Sequence, residues 1–208
     1  MIEYPKIQTV YKRDMENKGK TLLEGQWTQP EFEYLANNQW LFTEKVDGTN
    51  IRIMVGPHSV TFGGRTDAAQ IPAQLLNRLN DVFLPLTGML CSMLGDDACL
   101  YGEGYGSKIQ KGGGNYRPDQ DFVLFDIRVG DLWLGWHDVV DIARQLRIQA
   151  VPVIGQGTLF EAITMARCGI RSSWGNFPAE GIVARPAVDL VTRRGQRIIT
   201  KIKSKDFW

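Results

Sequence analysis

Hydrophobic positions along this chain recur in two rhythms, one of period two that predicts strands and one of period three to four that predicts helices. A short alternating stretch over residues 7–11 opens the chain. A polar loop follows, and then a helix over residues 30–40 with proline at its entry. From residue 41 the pattern becomes β-type. The run LFTEKVDGTNIRIMVG (residues 41–56) reads as strand, tight turn at Asp47-Gly48 and strand, because Asp-Gly between β-prone segments is a strong turn signal. SVTFGGRT adds a third strand ending in a glycine pair. Residues 68–84 then carry helical periodicity, with Ile71, Leu75, Leu76, Leu79, Val82 and Phe83 on one broad face that suits a core. After an expected loop, ACLYGEGYG reads as a strand, and FVLFDIRVGDLWLGW as two strands around Val129-Gly130-Asp131. Helices are expected near residues 137–146 and 158–168, with the apolar run VPVI between them. The closing segments EGIVARP, DLVTR and RIITKIKS read as strands, the last two joined by a turn at Arg194-Gly195. The sum is an α+β protein dominated by antiparallel strands, without internal repeats.

Composition narrows this picture without changing it. The 208 residues are 43% hydrophobic and 23% charged, ordinary globular usage, and no stretch has the composition of a linker. One domain over residues 1–208 is expected. The net charge of +1 gives no sign of a polyanionic partner, so any basic surface must be local. Such a cluster lies near the end, where Arg193, Arg194, Arg197, Lys201, Lys203 and Lys205 are answered by Asp206 alone. Its plainest reading is a solvated hairpin face. Three cysteines, Cys91, Cys99 and Cys168, match neither a zinc site nor a disulfide framework. Neither a signal peptide nor an apolar run of membrane-spanning length is visible, which gives a cytoplasmic expectation, in a bacterium or a phage-infected host, and no membrane partner.

Candidate chemistry centres on Lys45-Val46-Asp47-Gly48. A lysine that ends a hydrophobic strand before a turn can hold its amine on a rigid element. To serve as a nucleophile it must lose its proton, so an ordinary lysine value of about 10.4 has to be lowered by burial or by nearby cations. Alone, K-x-D-G is also what a hairpin with a solvated lysine would show.

Further segments follow in a consistent order: EKVDGTN (residues 44–50), FGGRTD around Arg65, YGEGYG (101–106), FVLFDI (122–127), EGIVARP (180–186) and TKIKSKDF (200–207). With them the chain resembles the covalent nucleotidyltransferase superfamily of DNA ligases, RNA ligases and mRNA capping enzymes. The wording EKVDGTNIRI resembles the RNA ligase 2 type of nick-sealing RNA ligase. The resemblance covers most of the chain. It implies an α+β fold, largely antiparallel sheets with flanking helices, forming a nucleotidyltransferase (adenylation) domain of the ATP-grasp-like ligase type. It implies an ATP-dependent, AMP-forming RNA ligase with a role in RNA repair. Such an enzyme adenylates its own lysine, passes AMP to a 5′-phosphate and joins that end to a 3′-hydroxyl. Expected partners are RNA ends or a nicked duplex, including an RNA/DNA hybrid, and the expected state is a monomer.

Residue by residue, the resemblance makes Lys45 the nucleophile toward the α-phosphate of ATP. Lys201 and Lys203, two apart on a strand and so on one face, meet the same phosphate and lower the Lys45 pKa. Glu103 is placed near the ribose and Glu180 near the phosphate, and both are candidate ligands for Mg²⁺ or Mn²⁺. The glycines beside each glutamate would let a ligand approach closely. Phe125 and Val183 would sandwich the adenine. Glu44 is placed near the adenine amino group, Asn50 near the 3′-hydroxyl or the AMP, and Arg65 near the ribose or the incoming 5′-phosphate. Arg52 on the neighbouring strand is a rival to Arg65, and Asp126 is a further possibility.

Other features carry less. His58 and His137 lack partners at ligand spacing, and Trp133 and Trp136 suit packing. DMENKGKT fails the phosphate-loop fingerprint because Asp14 stands where its first glycine belongs. KGGGNY (residues 111–116) reads as a flexible loop or as a lid over substrate. Many relatives continue into a C-terminal accessory domain, whereas this sequence ends five residues after Lys203, so none is expected. Alternative functions are a DNA ligase, a capping-type guanylyltransferase and a catalytically silent RNA-binding domain of the same fold.

Overall fold

The computed structural model describes residues 3–208. In chain order the elements begin with β1 (Gln8–Thr9), β2 (Tyr11–Arg13), β3 (Leu22–Trp27), α1 (Pro30–Tyr34), β4 (Trp40–Lys45), β5 (Thr49–Gly56) and β6 (Ser59–Gly63). Then come α2 (Ala73–Phe83), α3 (Thr87–Leu94), β7 (Ala98–Gly106), β8 (Gln120–Val129), β9 (Leu132–Trp133) and α4 (Trp136–Leu146). The chain closes with β10 (Gln149–Ala150), β11 (Val153–Gly157), α5 (Leu159–Cys168), β12 (Gly181–Pro186) and β13 (Thr200–Lys203). The class is α+β with mainly antiparallel pairing, as the hydrophobic pattern predicts.

Two compact units result, each with its own sheet and core. One comprises Pro5–Val46 and Pro152–Trp208. Its five-stranded sheet has the order β1-β13-β12-β4-β11, and β2-β3 form a separate ribbon. Trp40, Phe42, Ile182, Ala184 and Ile202 point to one face of that sheet and form its core with α5 residues Leu159, Ala162 and Ala166. Residues of opposite parity, Lys45, Thr43, Val183, Lys201 and Lys203, point to the other face.

The second unit contains Asp47–Val151 together with Tyr4. Its sheet runs β10-β8-β7-β5-β6, with β9 on β8. Ile51, Ile53, Leu100, Leu124 and Ile127 meet Leu75, Leu79 and Phe83 of α2, Leu90 of α3 and Val139 of α4 in a continuous core. Asn50, Arg52, Tyr101 and Glu103 lie on the opposite face.

Four sequence expectations are corrected. The strands flanking Asp47-Gly48 are not a hairpin: β4 pairs with β12 and β11, whereas β5 pairs with β6 and β7. Gly48 is needed for another reason, since a Cβ there would sit 2.2 Å from the Gly104 carbonyl oxygen. The helix expected over residues 30–40 ends at Tyr34, because Trp40 is the fully buried first residue of β4. Its indole N–H donates to the Leu35 carbonyl at 2.9 Å. Helix α3 occupies the stretch expected to be a loop; Leu90 and Leu94 reach the core. DLVTR forms no strand, only a single bridge between Val191 and Arg197.

Candidate active site

Lys45 is the last residue of β4, and its row across the sheet contains Gly181 of β12 and Lys203 of β13. Gly181 has no side chain, so the two lysines flank an open position, and the carboxylate of the preceding residue fills it. Glu180 accepts from Lys45 Nζ through Oε2 at 2.6 Å and from Lys203 Nζ through Oε1 at 2.6 Å. A side chain at 181 is excluded by geometry, since its Cβ would lie 2.1 Å from the Ile202 carbonyl oxygen and 2.8 Å from Lys203 Cα. All three charged groups are largely buried, with 22%, 13% and 21% of the Lys45, Glu180 and Lys203 side chains exposed. Burial pulls the Glu180 carboxyl upward, but the charges and hydrogen bonds of Lys45 and Lys203 outweigh it and hold it below the usual carboxylate range.

The next row on this face is Thr43, Val183 and Lys201. Thr43 Oγ1 donates to the Val183 carbonyl at 3.2 Å. Lys201 has no ion-pair partner among the described residues. Burial, then the charges of Lys203, Lys45, Arg13 and Lys6, push its ammonium down to about 8. Two lysines thus contact one carboxylate and a third, Lys201, lies in the adjacent row of the same face, a charge pattern suited to an anionic ligand.

Glu44 takes the opposite parity. It is 1% exposed on the core face, opposite Ile182, and accepts from Ser172 Oγ at 2.6 Å and the Ser173 amide at 2.7 Å. Its carboxylate therefore fastens the loop that precedes Glu180. Ser172 and Ser173 escaped sequence reasoning, because a serine pair in a loop carries no periodic signal.

In the second unit Asn50 and Glu103 face each other across β5 and β7. Asn50 Oδ1 is buried without a hydrogen-bond partner, an acceptor left open for a ligand donor. The glycines flanking Glu103 do not serve ligand approach. A Cβ at Gly102 would fall 2.2 Å from the Phe122 ring, and one at Gly104 would fall 2.4 Å from Leu75 Cδ2, so both face the core. Phe125 sits at an irregularity in the β7–β8 pairing, half-buried, with its ring centroid 5.0 Å from that of Tyr4. Tyr4 Oη donates to Asp126 Oδ2 at 2.6 Å, a link the sequence did not suggest.

Arg65 and Arg52 are separated clearly. Arg65 is exposed in the loop after β6, whereas Arg52 is fully buried, with Nε donating to the Gly64 carbonyl at 2.8 Å and Nη2 to Asp67 Oδ1 at 2.6 Å. Arg52 thus ties down the loop that carries Arg65. The KGGGNY segment contains a short 3-10 turn (Gly113–Asn115), and a Cβ at Gly113 would lie 1.9 Å from the Gly106 carbonyl oxygen. Tyr116 Oη accepts from the Asp47 amide at 3.2 Å, and Gln110 Nε2 donates to the Gly48 carbonyl at 3.0 Å. Gln110 and Tyr116, which bracket the glycine-rich stretch, therefore brace the turn that follows Lys45.

No group of three or more His, Cys, Asp and Glu side chains able to hold a metal occurs among the described residues. Glu180, with both oxygens already accepting from lysines, fits a divalent cation carried mainly by ligand phosphates and water, and does not fit a protein-built cage. No described helix is long and apolar enough to cross a membrane.

No curated protein sequence matches the chain. Among solved structures, an apo variant of Naegleria gruberi RNA ligase superposes with a TM-score of 0.69 at 19% identity, covering 99% of this chain and 58% of that one. The Naegleria gruberi RNA ligase with PPi gives 0.68 at 20% identity with the same coverage. A lysine-to-alanine variant of that enzyme with ATP and Mn gives 0.68 at 18%, again covering 99% and 58%. The chain thus shares their fold and spans somewhat over half the length of those proteins. The sequence profile of the RNA ligase family matches residues 38–203, from just before β4 to the end of β13. On that match, which takes in Lys45, Glu180, Lys201 and Lys203, the chain belongs to the RNA ligase family.

Proposed function

We propose that this protein is an ATP-dependent RNA ligase that works through a covalent lysyl-AMP on Lys45. The observation that carries the reading is the Lys45–Glu180–Lys203 row, in which a strand-terminal lysine is held beside a carboxylate and a second cation. Family membership supports it, as do the Naegleria structures solved with ATP and Mn and with AMP and Mn.

In the first step Lys45 Nζ attacks the α-phosphorus of ATP, an N–P bond forms, and the bond to pyrophosphate breaks. Glu180, 2.6 Å from Nζ, is the group within reach of the proton that Lys45 releases. Lys203 and Lys201 meet the charge developing on the α-phosphate. A divalent cation, Mg²⁺ or Mn²⁺, would neutralise charge on the triphosphate; Glu180 in one unit and Glu103 in the other are each candidates to touch it. In the second step an oxygen of the RNA 5′-phosphate attacks the same phosphorus, and the bond to Lys45 breaks. In the third, the 3′-hydroxyl attacks the 5′-phosphate, a phosphodiester forms, and AMP leaves. Asn50 Oδ1, an open acceptor, suits the hydroxyl proton of that 3′ end. In the five-stranded unit Val183, beside Lys201 on the lysine face, is a candidate adenine contact; in the other unit Phe125 is the candidate for the adenine and Arg65 for the 5′-phosphate. Glu44 acts through the loop it anchors. Both compact units count to one adenylation domain in this reading.

Matched nicked duplexes of RNA, DNA and RNA/DNA hybrid, each with ATP or GTP, test the proposal. Sealing of an RNA strand with ATP is expected. Joining of DNA nicks alone, or dependence on GTP, would overturn it.

A further inference from the structure

Between β12 and β13 the chain makes an exposed excursion over residues 187–199. Its base is anchored by Ile198, 6% exposed, whose amide donates to the Leu190 carbonyl at 3.0 Å. Its tip is a built turn. The Thr192 amide donates to the Gln196 carbonyl at 2.7 Å, the Gly195 amide returns to the Thr192 carbonyl at 2.9 Å, and Gly195 has φ +74°. Thr192 Oγ1 accepts from the amides of Arg194 at 3.3 Å and Gln196 at 3.2 Å. The result is a fixed platform that displays Arg193 and Arg194 to solvent, and neither guanidinium has an ion-pair partner among the described residues. Within the excursion Arg193, Arg194 and Arg197 are opposed only by Asp189. In a protein whose net charge is +1, this is a local concentration of positive charge.

We infer that this arginine-tipped turn is a docking site for the phosphodiester backbone of the RNA substrate, with Arg193 and Arg194 each gripping a phosphate. Guanidinium forks match phosphate oxygens bidentately. A pair of unpaired arginines on a rigid turn holds them ready at little entropic cost. Val188, Leu190 and Val191 are also exposed on the excursion, but the tip itself, Arg193, Arg194, Gly195 and Gln196, presents charge and no apolar side chain, which suits a polyanion. The turn lies beyond the Pro186 end of β12, whereas Glu180 precedes the Gly181 end. The length of that strand, at roughly 3.3 Å per residue, puts about 17 Å between them. The arginines therefore contact RNA remote from the joined phosphate and leave the nucleotide chemistry alone. The inference rests on the RNA-sealing function proposed above.

The test compares the unaltered chain with Arg193→Ala/Arg194→Ala and Arg193→Lys/Arg194→Lys, each loaded with ATP and titrated against a fluorescent nicked RNA duplex from 50 to 200 mM salt. The alanine pair is expected to bind at least about tenfold more weakly at low salt. Its log–log salt slope should be shallower by roughly 1.5, at 0.7–0.9 per lost phosphate contact. The lysine pair is expected to recover most of the affinity, and Lys45 adenylation and thermal unfolding should match the unaltered chain in both variants. Unchanged RNA affinity and salt slope in the alanine pair would overturn the inference while sparing the ligase assignment. Failure of the unaltered chain to bind RNA at all would overturn both.

Discussion

Charge around Lys45, the proposed nucleophile, is set by Lys201, Lys203 and Glu180, and two of these groups shape the pH response of the site. Glu180 is held below its ordinary value, so it contributes stability above the unfolded carboxylate range that is lost as pH falls through its folded value. Lys201 has the opposite consequence. Its folded value is about 8 against 10.5 unfolded, so between those values the unfolded chain binds more protons and this group makes stability rise with pH. Ligand binding runs the other way in the proposed mechanism, where the α-phosphate favours a charged Lys201. Affinity for a non-reacting analogue such as α,β-methylene-ATP is expected to weaken from about pH 8 upward, by about tenfold for one charge-assisted contact. Titration by fluorescence or calorimetry from pH 6.5 to 9.5 checks it, and Lys201→Arg, which stays protonated, should flatten the curve. A profile of unchanged slope in the arginine variant would assign the effect elsewhere. Identity of the lysines and glutamates was legible in the motifs, but the partner of Lys45 was not. The sequence reading placed Lys201 and Lys203 as its neighbours, and the carboxylate that bridges Lys45 and Lys203 follows only from strand register.

At the level of elements, β12 organises the site, because Gly181 brings the Lys45 and Lys203 strands together with no side chain between them. Gly181→Ala would drive a Cβ into the Ile202 carbonyl oxygen and Lys203 Cα. Because backbone and not a flexible side chain obstructs it, a cost of about 3 kcal/mol is expected, at the upper end of overpacking losses. For a chain of this size that corresponds to a fall in Tm of roughly 6–12 °C in thermal unfolding. It should be accompanied by weaker Lys45 adenylation, and an unaltered Tm would show that the sheet relaxes freely there. Elements with strong periodicity, α2, α4 and β7, were readable from residues alone. Those that were not share a physical cause. The Asp47-Gly48 turn signal is local, whereas the pairing of β4 with β12 and of β5 with β7 is set by contacts far along the chain. Helix α3, TGMLCSML, mixes small and apolar residues with little one-sided pattern, and the Leu84-Pro85-Leu86 turn before it reads as a break. Residues 36–39 continue a helical pattern, yet burial of Trp40 at the start of β4 ends the helix early.

For the whole molecule, the two sheets divide the candidate residues. Lys45, Glu180, Val183, Lys201 and Lys203 share one face of the five-stranded sheet, and Asn50 and Glu103 share one face of the other. Each sheet covers its other face with helices and its own core. Net charge gave no hint of a nucleic-acid partner, since positive charge is concentrated in short stretches of a nearly neutral chain. The motif order was what made the family readable, and the match over residues 38–203 agrees with it. Covalent chemistry at Lys45 is the central claim. Intact-mass measurement of the purified chain after incubation with ATP and Mg²⁺ tests it most directly. The expected result is a gain equal to one AMP that is absent in Lys45→Ala and reversed by added pyrophosphate. No gain in the unaltered chain, or an equal gain in Lys45→Ala, would contradict it.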